Sequence, residues 1–162
     1  MKLTSTCFAD NGRIPGDNAF CIIDPKTHVA MSKNRNPDLS WSGVPSGTKS
    51  LALICHDPDV PSKGDDVNKE GRTVPASLPR VDFYHWVLVD LAPDAAAIKQ
   101  GEFADGVTPR GKSGPAAQRD ARDVERVAVS GIFTGADVRK AMQGHVLGEA
   151  RLTGIYALNP AL

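Results

Sequence analysis

The chain has 162 residues, enough for one domain with a real core and not comfortably for two. Its 19 Lys and Arg balance 19 Asp and Glu, which excludes the long-range field that draws in nucleic acid or an anionic membrane. With Gly 15 and Pro 12, the composition argues for many turns and against a helix bundle.

No run approaches the ~20 apolar residues that cross a bilayer, so no membrane span is expected. The opening residues Met1 to Phe8 turn polar at once and carry no secretory signal, and a cytoplasmic location is expected. Cys7, Cys21 and Cys55 are odd in number and lack C-x-x-C spacing, so they read as reduced, half-buried thiols. His28, His56, His85 and His145 are scattered. A zinc site needs a closer cluster, so neither a metal nor a cofactor is expected.

In chain order, residues 3–8 alternate weakly and suggest a short first strand. Asn11-Gly12 and Ile14-Pro15-Gly16 are turn signals. Residues 18–23 read as a second strand stopped by Asp24-Pro25, and Asn36 to Ser40 as a turn leading into Trp41. Residues 50–56 are apolar on both faces until His56, the pattern of a central strand covered on both sides. Asp57-Pro58-Asp59-Val60-Pro61 is expected to end it, because neither proline donates a ladder hydrogen bond. Residues 62–80 are polar and read as a long surface loop.

Residues 81–91 form the second strong strand. One face carries Val81, Phe83, His85, Val87, Val89 and Leu91; the other carries Asp82, Tyr84, Trp86, Leu88 and Asp90. Residues 101–131 show no sustained period, an unusual length for a structureless stretch within a compact domain. Thr134-Gly135-Ala136-Asp137 resembles a helix start, with Thr134 as cap, and Val138, Ala141, Met142 and Val146 follow at near-helical spacing. Residues 152–158 read as a final strand closed by Asn159-Pro160. The expected fold is mainly β with one helix near the C-terminus.

The most informative pair of segments is Asp57-Pro58-Asp59-Val60-Pro61 and Tyr84-His85-Trp86. If their strands are sheet neighbours, His85 approaches the carboxylates at the sheet rim. A carboxylate beside an imidazole raises its pKa and fixes its orientation. A protonated, held histidine with backbone N–H groups from a proline-shaped loop makes a small anion site, and the prolines lower the ordering cost of binding. A plainer reading stands beside this one: a lone histidine on an apolar strand is usually a hydrogen-bonded core residue, and Asp-Pro is usually a turn.

The ordered set of motifs resembles the phosphatidylethanolamine-binding proteins, and more closely their bacterial branch, the Raf kinase inhibitor-like proteins. It comprises Asn36-Pro37-Asp38-Leu39-Ser40-Trp41, Val44 to Ser50, Asp57-Pro58-Asp59-Val60-Pro61, His85-Trp86, and the tail from Phe133 through Gly154. The likeness covers roughly residues 1–115 and 131–160. It implies a single domain over 1–162 with a β-sandwich-like fold and an anion pocket at one end. Carried over residue by residue, Asp57, Asp59 and Pro61 form one wall and His85 supplies the imidazole. Pro58, Tyr84 and Trp86 are supports.

The chain departs from this pattern at about 116–130. The family pattern has a loop of the G-x-x-x-G-P-x-P-P kind, followed by a histidine and an aromatic-rich core strand. Here Gly111-Lys112-Ser113-Gly114-Pro115 leads into a polar connector. The second pocket loop, its histidine and one core strand are therefore expected to be missing. The stretch reads as an ordinary solvated connector, with a short basic-faced helix as the alternative because Arg119, Arg122 and Arg126 are spaced 3 and 4 apart. A sheet without a middle strand exposes edges, which favours re-pairing of strands or a homodimer.

The expected function is non-catalytic binding of a small anionic, phosphate-bearing ligand such as a phospholipid head group. The alternative is a protein-interaction module inhibiting a kinase or protease, with residues 62–80 and 116–130 as contact surfaces. A hydrolase using Asp57 and His85 ranks below both, because no Ser or Cys sits in a G-x-S-x-G turn. Neither G-x-G-x-x-G nor G-x-x-x-x-G-K-[ST] occurs, which argues against nucleotide chemistry.

Overall fold

The structure is a computed structural model describing residues 1–67, 69–104 and 133–158. The connector expected at 116–130, with Arg119, Arg122 and Arg126, lies outside the described residues. The fold is mainly β with one short helix near the C-terminal end. Its contacts divide the described residues into two units, one made of 1–50, 91–104 and 147–158, the other of 51–90 and 133–146.

In the first unit, β1 (Lys2–Thr4) lies antiparallel to β5 (Leu39–Ser42), and β8 (Ala97–Ile98) pairs with the other edge of β5. The register sets Leu3 opposite Trp41 and Leu39 opposite Ile98. Leu39 and Ile98 are buried together with Ala19, Leu91 and Phe103, and this cluster is the core of the unit.

The chain leaving β1 is tied to the start of β5 by one carboxylate. Asp38 accepts hydrogen bonds from the Ser5 hydroxyl, the backbone N–H groups of Thr6 and Cys7, and the Cys7 thiol. Burial acts to raise the Asp38 pKa, but the bonds from Cys7, Thr6 and Ser5 outweigh it and bring the value down to about 2. The same arrangement raises the Cys7 thiol, through burial and through its bond to a carboxylate.

The strand expected at 18–23 is β3 (Cys21–Asp24), and it has a partner that the pattern did not reveal, β4 (His28–Met31). The turn between them depends on Asp24, whose Oδ1 accepts from the N–H groups of Lys26 and Thr27 and from the Thr27 hydroxyl. His28 closes the turn in the left-handed region, φ 64°, where glycine is the usual occupant. The final strand is shorter than expected: only β9 (Gly154–Ile155) forms, parallel to β2 (Gly12–Arg13). Gly154 suits this seat because a Cβ there would stand 2.6 Å from Ile14 Cγ1.

The second unit contains β6 (Leu51–Pro61) and β7 (Arg80–Leu91, whose last residue belongs to the first unit). They form a two-stranded ribbon. The Ser62 N–H donates to Pro79 O at 3.0 Å, which places the end of β6 beside the start of β7. Two expectations are corrected here. Asp57-Pro58 does not end the strand, which runs on to Pro61. The prolines are three apart, so by strand alternation their nitrogens face opposite edges: one forfeits a single ladder bond and the other faces away from the partner strand. Nor is β6 covered on both faces, since Ala52 and Cys55 are exposed and Leu51, Leu53 and Ile54 only half-buried. Cys55 is thus not the half-buried thiol expected, whereas Cys7 and Cys21 are.

Helix α1 (Gly135–Ala141) begins where the sequence places it. Thr134 accepts from the Asp137 N–H, and the Asp137 carboxylate accepts in return from the Thr134 N–H, a reciprocal capping box. The helix stops short of Val146, because the chain turns at Gly144 with φ 80°. Val138 is the most completely buried residue of the unit.

Asp38→Asn is expected to destabilise the protein by about 1–2 kcal/mol at neutral pH, because it replaces an acceptor of several hydrogen bonds. The Asp38 pKa is lowered on folding, so its contribution is complete above the ordinary value of 3.8 and is lost as pH falls through about 2. Urea unfolding of both proteins across this range should show the difference shrinking toward the acid end.

Candidate functional site

β6 and β7 carry every residue of the expected site, and strand alternation divides those residues between the two faces of the ribbon. On one face, His85 Nε2 lies 3.6 Å from Asp57 Oδ2. The Phe83 ring meets His85 edge-on, with centroids 4.8 Å apart. The Asp59 N–H donates to Asp57 Oδ1 at 2.8 Å, so the acidic end of β6 orients its own first carboxylate.

The structure therefore brings Asp57 to His85 and connects Asp59 through its backbone. Pro58 and Asp59 are exposed, and Pro61 sits half-buried at the end of β6. The side chains of His85 and Asp57 are 52% and 42% exposed. At that exposure an ion pair contributes ~0–1 kcal/mol, so Asp57 orients the ring without locking it. A cavity of about 340 Å³ in this unit is lined by Asp82, Phe83, Tyr84, Val87, Phe133, Thr134 and Gly135. None of Asp57, Asp59, Pro61 and His85 lines it; the His85–Asp57 pair stands on an open surface.

Tyr84 and Trp86 occupy the more covered face of β7 and are half-buried, next to buried Leu88. Tyr84 is the centre of a cluster that the motif reading missed. The His56 ring stacks on it, with centroids 5.0 Å apart and planes 24° apart. His56 Nε2 is 2.8 Å from Asp82 Oδ1, and Arg139 Nη2 is 3.3 Å from His56 Nδ1. The Arg139 guanidinium lies 5.5 Å from the centre of the Tyr84 ring. Gly135 and Arg139 are four apart on α1 and share one helix face with Val138 between them. Alternation alone puts Asp82 beside Tyr84. No local signal reaches Arg139, which is 83 positions from His56.

Among the described residues, no group of three or more His, Cys, Asp and Glu is placed to hold a metal ion. No described helix is long and apolar enough to cross a membrane.

Residues 4–157 match the phosphatidylethanolamine-binding protein family. The chain is 34% identical to a UPF0098 protein of Methanothermobacter thermautotrophicus, over 96% of this chain and 98% of that one. It is 28% identical to the UPF0098 protein YbhB of Escherichia coli, over 97% and 100%. A crystal structure of a phosphatidylethanolamine-binding protein homologue, CT736 from Chlamydia trachomatis, superposes with a TM-score of 0.61 at 26% identity, over 96% of each chain. The chain belongs to the phosphatidylethanolamine-binding protein family, in its bacterial and archaeal UPF0098 branch.

A Cβ at position 135 would overlap the Tyr84 ring. Gly135→Ala is therefore expected to destabilise by about 1–3 kcal/mol, although alanine is the better helix former. The loss should appear in thermal melts and as weaker protection of the α1 amides.

Proposed function

We propose that the second unit carries a non-catalytic binding site for a small anionic, phosphate-bearing ligand, with His85 as the cationic group and Asp57 as its orienting partner. The observation that carries this reading is the 3.6 Å approach of His85 Nε2 to Asp57. With Nε2 turned to the carboxylate, Nδ1 is the ring atom available to an incoming oxygen, and on the protonated ring it is a donor. Family membership supports a small ligand. Asp59 adds negative charge beside the site, so anion binding requires the imidazolium form of His85. Pro58 and Pro61 limit the freedom of the acidic end of β6 before any ligand arrives. The absence of a nucleophile motif from the sequence supports binding over turnover.

A second reading, a protein-interaction surface, draws on one observation. Val81 and Phe83 are large, apolar and exposed on the same face of β7 as His85. A macromolecular partner would cover them where a small anion would not.

Titration with inorganic phosphate and with phosphoethanolamine, followed through the His85 ring signals by NMR, separates these readings. The expected result is a saturable shift at millimolar ligand, and His85→Ala, followed through the backbone amides of β6 and β7, should bind about tenfold or more weakly, about 1.4 kcal/mol. A stronger response to phosphoethanolamine than to phosphate would point to a lipid head group as the source. No ring shift at millimolar ligand would reject the anion site. Capture of a protein partner that survives His85→Ala and is lost in Phe83→Ser would favour the interaction surface.

A further inference from the structure

We infer that His56 is held as the neutral Nε2–H tautomer, bridging Asp82 on β7 and Arg139 on α1, and that a second proton on this ring ejects Arg139 and loosens the seat of α1 on the β6–β7 ribbon. This inference does not depend on the ligand reading of the opposite face.

The tautomer follows from the chemistry of the two neighbours. A guanidinium has donors only, so His56 Nδ1, 3.3 Å from Arg139 Nη2, has to accept and carries no hydrogen. The remaining proton of a neutral ring then sits on Nε2, facing Asp82 Oδ1 at 2.8 Å. A bare Nε2 there would set a lone pair against a carboxylate. The Nε2–Asp82 contact is not aligned as a hydrogen bond, so it acts as a charge–dipole contact, and Nε2 finds no better aligned partner among the described residues. The His56 side chain is only 19% exposed, which limits replacement of either neighbour by water.

Tyr84 makes the arrangement cooperative. It supports the His56 ring on one side and receives the Arg139 guanidinium at 5.5 Å. The groups facing the imidazole are therefore Asp82 and Tyr84 from β7 and Arg139 from α1. Its neighbours along β6, Cys55 and Asp57, point to the other face by alternation. Asp82 favours a second proton, but its side chain is 57% exposed and its field is weakened by water. Arg139 opposes that proton directly, because a protonated Nδ1 sets donor against donor and cation against cation.

When the ring charges, the Arg139 contact is lost. Helix α1 has seven residues, too few to persist without tertiary contacts. The docked helix therefore requires a ring whose Nδ1 carries no proton.

Long-range proton–nitrogen NMR of the imidazoles in the intact chain tests this, with His56→Gln used only to assign the signals. At about pH 8, His56 should show a bare Nδ1 and a protonated Nε2. Lowering the pH toward about 5 should reduce the amide protection factors of residues 135–141, corrected for intrinsic exchange, about tenfold as His56 Nδ1 gains a proton. Arg139→Gln keeps a donor and removes the charge, so it should retain the tautomer and abolish the pH dependence of helix protection. An Nδ1–H tautomer at high pH, or helix protection unchanged once Nδ1 is protonated, would overturn the inference. Both outcomes are read on the wild-type chain and do not depend on how the variants fold.

Discussion

The candidate site rests on the pairing of β6 with β7. Residues 57 and 85 are far apart in the chain and meet only because the two strands form one ribbon. The same pairing sets His56 against Asp82 and Tyr84 on the reverse face. A one-residue slip would turn every side chain to the wrong face and undo both clusters together. The two faces are consequently not independent: contacts that hold the register on the Tyr84 side also hold Asp57 against His85. The loop from 62 to 79 closes between residues joined by a backbone hydrogen bond.

The two units place their polar groups according to different demands. In the first, Asp38 collects donors from three successive residues after β1, and its low pKa is the electrostatic mark of that convergence. In the second, the carboxylates face imidazoles at the surface and remain substantially exposed. A carboxylate saturated by donors serves the fold. One left half-open to water beside an imidazole keeps room for another partner. This contrast is the physical basis for seeking the ligand at Asp57 rather than at Asp38.

Local rules made some of this legible. The capping box at Thr134 and Asp137 needs only its own four residues, and the alternation of β7 is visible along its length. The family likeness was readable because its motifs recur in order along the chain, and the match over residues 4–157 agrees with it. What escaped depended on context. The β3–β4 turn uses a carboxylate and a histidine at positive φ where a pattern reader looks for glycine. Pro58 looked like a stop signal, yet a two-stranded ribbon tolerates a missing donor as a buried central strand does not. The spacing at Val146 continued the helical period, but Gly144 had already turned the chain. The bridge from Arg139 to His56 joins residues that no periodicity connects.

The prolines of β6 also make the two rims of the ribbon unlike. Among the described residues each strand has a single neighbour, so each presents one outer row of amides and carbonyls. On β6 that row is interrupted, because one of Pro58 and Pro61 points its nitrogen outward. The twelve residues of β7 contain no proline, and their row of donors has no such gap. An incoming extended segment, from a second copy or from any other polypeptide, would find a proline-free rim on β7 up to Asp90, whose φ of 58° leaves the extended region, and a proline-broken rim on β6. Strand addition to this ribbon is thus disfavoured along β6 by an imino acid of the same acidic segment whose Asp57 faces His85.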